Sequence, residues 1–248
     1  MGEAEGLAKH DAKGRSSVVP VQSLTAASRA ELYSVMSRHF TGVDEQQFFQ
    51  DLDEKQWIVL LQENGTERIT GFSTIMLLET ELAGQPIAGV FAGDTIIEPE
   101  FWGQSSWLYQ WGHCSYELAC GSGDPHVGFV LLTSTHRSYR FLPGFFHEYY
   151  PHPDRPIPAE VQAKLDALVG LKFPREYNAQ TGIVRPVHAT PVRPGREDPA
   201  ATTRDDRHAE FFRRANPRFE QGDFLACFAE LTWENLTPLG RRVVRGQS

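Results

Sequence analysis

Three carboxylates crowd one short stretch of this chain. Asp94, Glu98 and Glu100 surround the end of a run holding Val90, Phe91, Thr95, Ile96 and Ile97, and the run stops at Pro99. It is rich in β-formers and closed by a proline, so it is read as a strand. Directly after it come Gly103, Gln104, Ser105 and Ser106, small or polar residues that let backbone approach a ligand closely. Trp107, Leu108, Trp111, Cys114, Tyr116, Leu118 and Ala119 then recur at three- and four-residue spacings, the pattern of an amphipathic helix. A helix start leaves about four N–H groups unpartnered and carries partial positive charge, which suits a phosphate. The chemistry on offer is a proton acceptor beside an anion cradle.

At these residues the chain resembles the GNAT superfamily of acyl-CoA-dependent N-acyltransferases. Pro99-Glu100-Phe101 fits the family's lead-in, and Trp102-Gly103-Gln104-Ser105-Ser106-Trp107 falls on its R/Q-x-x-G-x-G/A signature. The signature is degenerate: Trp102 stands where Arg or Gln is usual, Ser105 where the first Gly is, and Trp107 where the last small residue is. The resemblance implies that the amides of Gly103, Gln104, Ser105, Ser106 and Trp107 hold the coenzyme A pyrophosphate. It implies that the pantetheine arm lies between two splayed parallel strands, here residues 95–98 with Ile96 and Ile97, and residues 129–133 ending in Thr133.

The activity implied is transfer of an acyl group from acyl-CoA or acetyl-CoA, or from an acyl carrier protein, to a small-molecule or peptide amine. For the proton acceptor, Asp94, Glu98 and Glu100 are the candidates, and Glu98 is preferred because the strand end directs it toward the cleft. Relatives often use a tyrosine in the helix after the second parallel strand as proton donor. Tyr139 is the first choice there, ahead of Tyr149 and Tyr150. A rival reading keeps the GNAT-like cleft but makes it a non-catalytic module that binds an acyl group or a protein.

The elements that must position these residues follow from pattern. A first strand is expected at 17–24, helices at 26–40 and 44–54, and strands at 57–61 and 69–78 joined by a hairpin at Glu63-Asn64-Gly65-Thr66. The strand ending at Ile97, the helix from Ser106 and an apolar strand at 126–133 form a β-α-β unit, which predicts a right-handed crossover and a parallel pair. A helix is expected at 135–150, a proline-rich non-helical stretch at 151–158, helices at 158–173 and 205–215, and a late strand at 223–233. The fold class is α/β: a GNAT-like mixed sheet with a splayed parallel pair flanked by helices, plus a C-terminal extension. Residues 1–15 are expected to be a loose polar tail, 16–150 the core, and 151–248 an extension completing or covering it. Trp102, Trp107, Trp111, Phe145, Phe146, Tyr149 and Tyr150 either pack helices on the sheet or line a wide apolar pocket.

Composition narrows the classes. The 248 residues are 40% hydrophobic, enough for a core, and the formal net charge of -8 offers no basic footprint for nucleic acid. Three cysteines, Cys114, Cys120 and Cys227, have no ligand spacing, and their odd count argues against a secreted disulfide framework, so a cytoplasmic setting is expected. No apolar run reaches the roughly twenty residues a membrane span needs. HExxH, CxxC, GxSxG and a strand-borne GxGxxG are all missing, so neither a metal site, a serine hydrolase nor a dinucleotide site is expected.

Overall fold

Thr25 and Asp44 open the first two helices as their side chains predict. Thr25 accepts the Ser28 N–H at the start of α1 (Ala26–His39), and Asp44 accepts the Gln47 N–H at the start of α2 (Glu45–Asp53). This computed structural model describes residues 13–102, 105–124, 126–187, 190–193 and 206–246. The expected tail lies outside the described residues as far as 12, and the first strand already begins at Gly14.

Eight strands form one sheet: β1 (Gly14–Pro20), β2 (Trp57–Glu63), β3 (Ile69–Leu82), β4 (Gln85–Ile97), β5 (Gly128–Thr133), β6 (Tyr177–Asn178), β7 (Ile183–Val184) and β8 (Phe224–Glu230). Their order is β1-β2-β3-β4-β5-β8-β7-β6. Every neighbouring pair is antiparallel except β4 and β5, which α3 (Ser106–Gly121) joins by a crossover. This is the mixed sheet with one parallel pair that the sequence reading expects, and β8 is the late strand expected at 223–233.

The parallel pair is short. Gly89, Val90, Phe91 and Ala92 face Gly128, Phe129, Val130 and Leu131, and registered pairing ends there although both strands continue. Two features draw them apart. β5 is paired along its whole length with β8, from Gly128 opposite Glu230 to Thr133 opposite Leu225. β4 stays with β3, but Ser73 opposes Thr95 while Ile75 opposes Ala92, so Gly93 and Asp94 bulge against Thr74. A bulge bends its strand and increases the local twist. Glycine is required at its apex: a Cβ on Gly93 would sit 2.2 Å from Thr74 Oγ1 and 2.9 Å from Lys55 Cε.

Period-2 alternation sends Val90, Ala92, Phe129 and Leu131 into a core on one face, with Tyr109 of α3 and Phe145. On the other face α1 and α2 cover Ile58, Leu60, Phe72 and Ile96, while α6 (Ala159–Lys172) covers Phe91, Val130 and Phe228 through Leu165 and Leu168.

The helix expected at 135–150 is instead two short ones, α4 (His136–Tyr139) and α5 (Phe141–Phe145). Pro143 brings no N–H to a helical ladder. Beyond α5 the chain is held by tertiary bonds: the Tyr150 N–H donates to Phe228 O, and the Phe228 N–H to Tyr150 O, each at 2.7 Å. Tyr149 and Tyr150 therefore lie outside any helix. The hairpin β6–β7 and the closing helix α8 (Pro238–Val244) have no counterpart in the sequence reading; α7 (Arg207–Ala215) does.

Gly128 gives the β5–β8 junction a direct test. A Cβ there would lie 2.2 Å from Cε2 of Phe228, which is fully buried and has no room to retreat. Gly128→Ala should destabilise the protein by roughly 1–3 kcal/mol, the usual range for overpacking, read as a lower urea midpoint at unchanged slope. An unaltered midpoint would show the junction to be loosely packed.

Candidate functional site

Where β4 and β5 part, the facing backbone edges have no ladder partner, and a cavity of about 260 Å³ fills the opening. Residues 93–95 form one lip and 132–135 the other. The walls come from both faces of the sheet. Trp107, Trp111, Phe129 and Phe141 belong to the α3 face; Met36, Phe40, Phe91 and Phe173 belong to the α1, α2 and α6 face. The opening is therefore a passage through the sheet, apolar along most of its length. The polar lip is organised by its own bonds: Thr133 Oγ1 donates to Thr135 O at 2.8 Å, and Thr135 caps α4 by accepting the Ser138 N–H.

Residues beyond 150 build part of the wall. Phe173, Val184, Pro186, Thr190 and Phe224 all reach the cavity. Residues 190–193 are stitched to the end of α1, with the Thr41 N–H donating to Pro191 O at 3.0 Å and the Arg193 N–H to His39 O at 2.8 Å.

Three ionisable side chains stand on the described lining: Asp51, Lys55 and Asp94. Lys55 leaves the end of α2 with its side chain 2% exposed, and its ammonium donates to Asp51 Oδ2 at 2.6 Å and to Asp51 O at 3.2 Å. Lys172, from the end of α6, donates to Asp51 Oδ1 at 3.0 Å and pairs with Glu54. Burial disfavours the Asp51 charge, but the two ammonium ions outweigh it and hold its carboxyl below the usual range. Asp94 is treated in the opposite way. Desolvation first, and then the Asp51 charge, push its carboxyl up to about 6, against the partial opposition of Lys55 and Lys172. A carboxylate that titrates near 6 inside a passage suits a general base.

The structure places the sequence-derived candidates unevenly. Glu98 does not reach the cavity. It is 5% exposed, its N–H donates to Thr70 O at 2.8 Å, and its carboxylate is held by Arg38 at 2.6 Å and by Arg68. Two guanidinium groups neutralise it, so its setting is that of a structural anchor. Glu100 is exposed. Tyr139 is fully buried, and its hydroxyl donates to Pro151 O at 2.7 Å. Burial drives that phenol far above its ordinary pKa, away from the cavity lining.

Ile96 packs into the α1–α2 core and Ile97 pairs with Gly71, so neither lines the gap; residues 93–95 do. Thr133 and Trp107 do line it, with the Trp107 indole set edge-on to Phe141 at 6.4 Å. Ser105 and Ser106 open α3 off the cavity, and Ser106 Oγ is buried with no partner among the described residues. Gly103 and Gln104 lie outside the described residues. Trp102 turns back on the strand, donating from Nε1 to Ile97 O at 2.8 Å. No group of three or more potential metal ligands occurs among the described residues.

Sequence reasoning counts Asp94 among the proton-acceptor candidates but prefers Glu98, and it does not single out Lys55. The bulge was legible as a Gly-Asp pair interrupting an apolar strand. That it would carry Asp94 to the mouth of a passage was not.

No family model and no curated protein matches the chain. Several solved structures resemble part of it. A probable N-acyltransferase from Enterococcus faecalis shares 12% identity at a TM-score of 0.41, over 54% of this chain and 33% of its own. A GNAT family N-acetyltransferase from Escherichia coli, solved in complex with CoA, shares 16% identity at a TM-score of 0.39, over 58% and 76%. A Trypanosoma brucei acetyltransferase shares 14% identity at a TM-score of 0.40, over 58% and 97%. This chain thus spans about a third of the first of these proteins. At such identities and TM-scores no substrate or activity carries across.

The Asp94 environment predicts a pH-dependent stability. The folded state holds this proton more tightly than the unfolded chain, whose carboxyl titrates near 3.8, so stability is full below that pH and falls as pH rises through about 6. Asp94→Asn removes the fall. Its stability relative to the parent should therefore increase between pH 4 and pH 7, measured by urea melts at several pH values. A difference independent of pH would place the titration elsewhere.

Proposed function

We propose that this chain is an N-acyltransferase that moves an acyl group from acyl-CoA to an amine across the passage between β4 and β5. The observation that carries this reading is the pairing of a backbone gap with a single raised-pKa carboxylate at its lip. A pantetheine arm carries two amides, and the unpaired edges of β4 and β5 supply the N–H and C=O groups such an arm needs. The donor belongs on the α3 face, where α3 begins at Ser106. The acceptor enters from the α2 and α6 face, where Asp94 meets Asp51 and Lys55. The two reactants then approach through opposite mouths and meet at residues 93–95.

When bound, the thioester supplies an activated carbonyl carbon. The nitrogen electron pair forms the C–N bond, the C–S bond breaks, and a proton moves overall from nitrogen to sulfur. Asp94 takes that proton from nitrogen, and its setting keeps it ionised just above pH 6 while leaving it basic enough to act. The apolar walls exclude water from the thioester, which protects it from hydrolysis and strengthens every charge interaction inside. Most of the acceleration comes from holding two reactants in line, with proton transfer adding about 10²–10⁴-fold. A donor presented on an acyl carrier protein would need the same gap and less of the cradle at residues 103–107.

Two measurements bear on this proposal. Acetyl-CoA or a longer acyl-CoA at 100 times its dissociation constant should stabilise the protein by about 2.7 kcal/mol in thermal unfolding. Turnover, followed as free thiol, should rise with pH through an apparent pKa near 6 and fall by roughly 10² or more in Asp94→Asn. Absence of stabilisation by every acyl-CoA tried would remove coenzyme A as the donor; an undiminished Asp94→Asn would remove Asp94 as the base.

A further inference from the structure

The acceptor mouth carries a charge imbalance set in apolar surroundings. On the described lining two carboxylates, Asp94 and Asp51, face one ammonium ion, that of Lys55, while Lys172 is shared between Asp51 and the exposed Glu54. Both ammonium ions are bonded to Asp51, and no cation stands within ion-pair distance of Asp94 among the described residues. Around this carboxylate the walls are Met36, Phe40, Phe91, Phe173 and Pro186. The Phe91 and Phe173 rings lie 6.2 Å apart in a tilted pair, with the Lys55 ammonium 5.9 Å from the Phe91 centroid and the Lys172 ammonium 5.6 Å from that of Phe173. The mouth therefore lacks one positive charge and has hydrocarbon surface to cover.

We infer that the acceptor is an apolar primary amine, bound as its ammonium ion on Asp94 with its hydrocarbon part between Phe40, Phe91 and Phe173, and bearing no carboxylate or phosphate. This rests on the acyltransferase reading above and narrows its substrate. An ammonium ion completes the charge balance of the mouth. A carboxylate on the same ligand meets the reverse. Lys55, the cation on the described lining, is already bonded to Asp51, so the added anion would face Asp94 and Asp51 in a poorly solvated space. α-Amino acids, amino-sugar phosphates and acidic peptides are selected against, while arylalkylamines and alkylamines are selected for.

The proton count agrees. Nitrogen must lose two protons in going from ammonium to amide. One is lost to water and frees the electron pair for attack; the other passes to Asp94 as the C–N bond forms and completes the thiol.

Calorimetry on the full chain without any donor tests the inference apart from the transferase reading. Phenethylamine, phenylalanine and 2-phenylethanol share one hydrocarbon body and differ in charge. Phenethylamine should bind about tenfold or more tightly than either of the others. Asp94→Asn should weaken phenethylamine by a similar factor and leave 2-phenylethanol unchanged. Phenylalanine binding as well as phenethylamine on the unaltered protein would overturn the inference, whether or not the variant folds. Acyl-CoA binding measured alongside separates the two failures. If acyl-CoA binds and phenethylamine does not, the apolar-amine assignment falls and the transferase stands; if no acyl-CoA binds, the transferase reading falls and takes this assignment with it.

Discussion

The site depends on one conflict in strand pairing. β5 has two possible neighbours along its length and keeps β8 for all six of its residues, while β4 keeps β3 and is bent by the bulge at Gly93 and Asp94. Four paired residues hold the two halves of the sheet together, and past them the halves separate. Everything chemical in the molecule follows from that separation. It leaves backbone groups unpaired in the middle of a sheet, where such groups are otherwise costly, and it opens a passage between two faces that a continuous sheet would seal. The cost is tolerable because each strand is anchored elsewhere: β5 by Phe129 and Leu131 in the α3 core, β4 by Phe91 against α6 and Ile96 against α1 and α2.

The electrostatics of the passage follow from packing on the same bulge. Lys55 crosses Gly93 so closely that no side chain fits there, and this brings its ammonium, with Asp51, beside Asp94. A lysine with 2% side-chain exposure is stable only because Asp51 accepts from it through both a carboxylate oxygen and the main-chain carbonyl. Asp51 in turn is held by Lys172 from α6, so a helix of the C-terminal third sets the charge state of a group in the N-terminal half. Residues 190–193 make a second such connection by pairing with the end of α1. The segment after residue 150 is thus woven into the wall of the passage.

Glu98 and Asp94 show why position along a strand is a poor guide to chemistry. Glu98 lies at the strand end, where a carboxylate reaching the cleft is the natural expectation. Arg38 of α1 and Arg68 before β3 converge on it instead, and a carboxylate with two guanidinium partners is charge-neutral and fixed. Asp94 lies mid-strand, where alternation gives no hint of function, yet the extra residue of the bulge turns it to the gap. Tyr139 is kept from the cavity for a related reason. Its helix ends after one turn at Tyr139, and the phenol is drawn under the following segment to meet Pro151 O.

What the sequence determined by itself is what short-range chemistry dictates. The apolar runs of β2 to β5, the stop at Pro99 and the spacing of α3 were all readable, because propensity and periodicity act within a few residues. So was the parallel β4–β5 pair, since a strand–helix–strand order has a preferred hand. The tertiary structure alone decided that β5 would side with β8, that the bulge would face Lys55, and that two arginines would claim Glu98. Those outcomes are competitions among partners distant in sequence, such as Arg38 with Glu98 or Asp51 with Lys172, and they are settled by which groups are buried together, a quantity no local pattern contains.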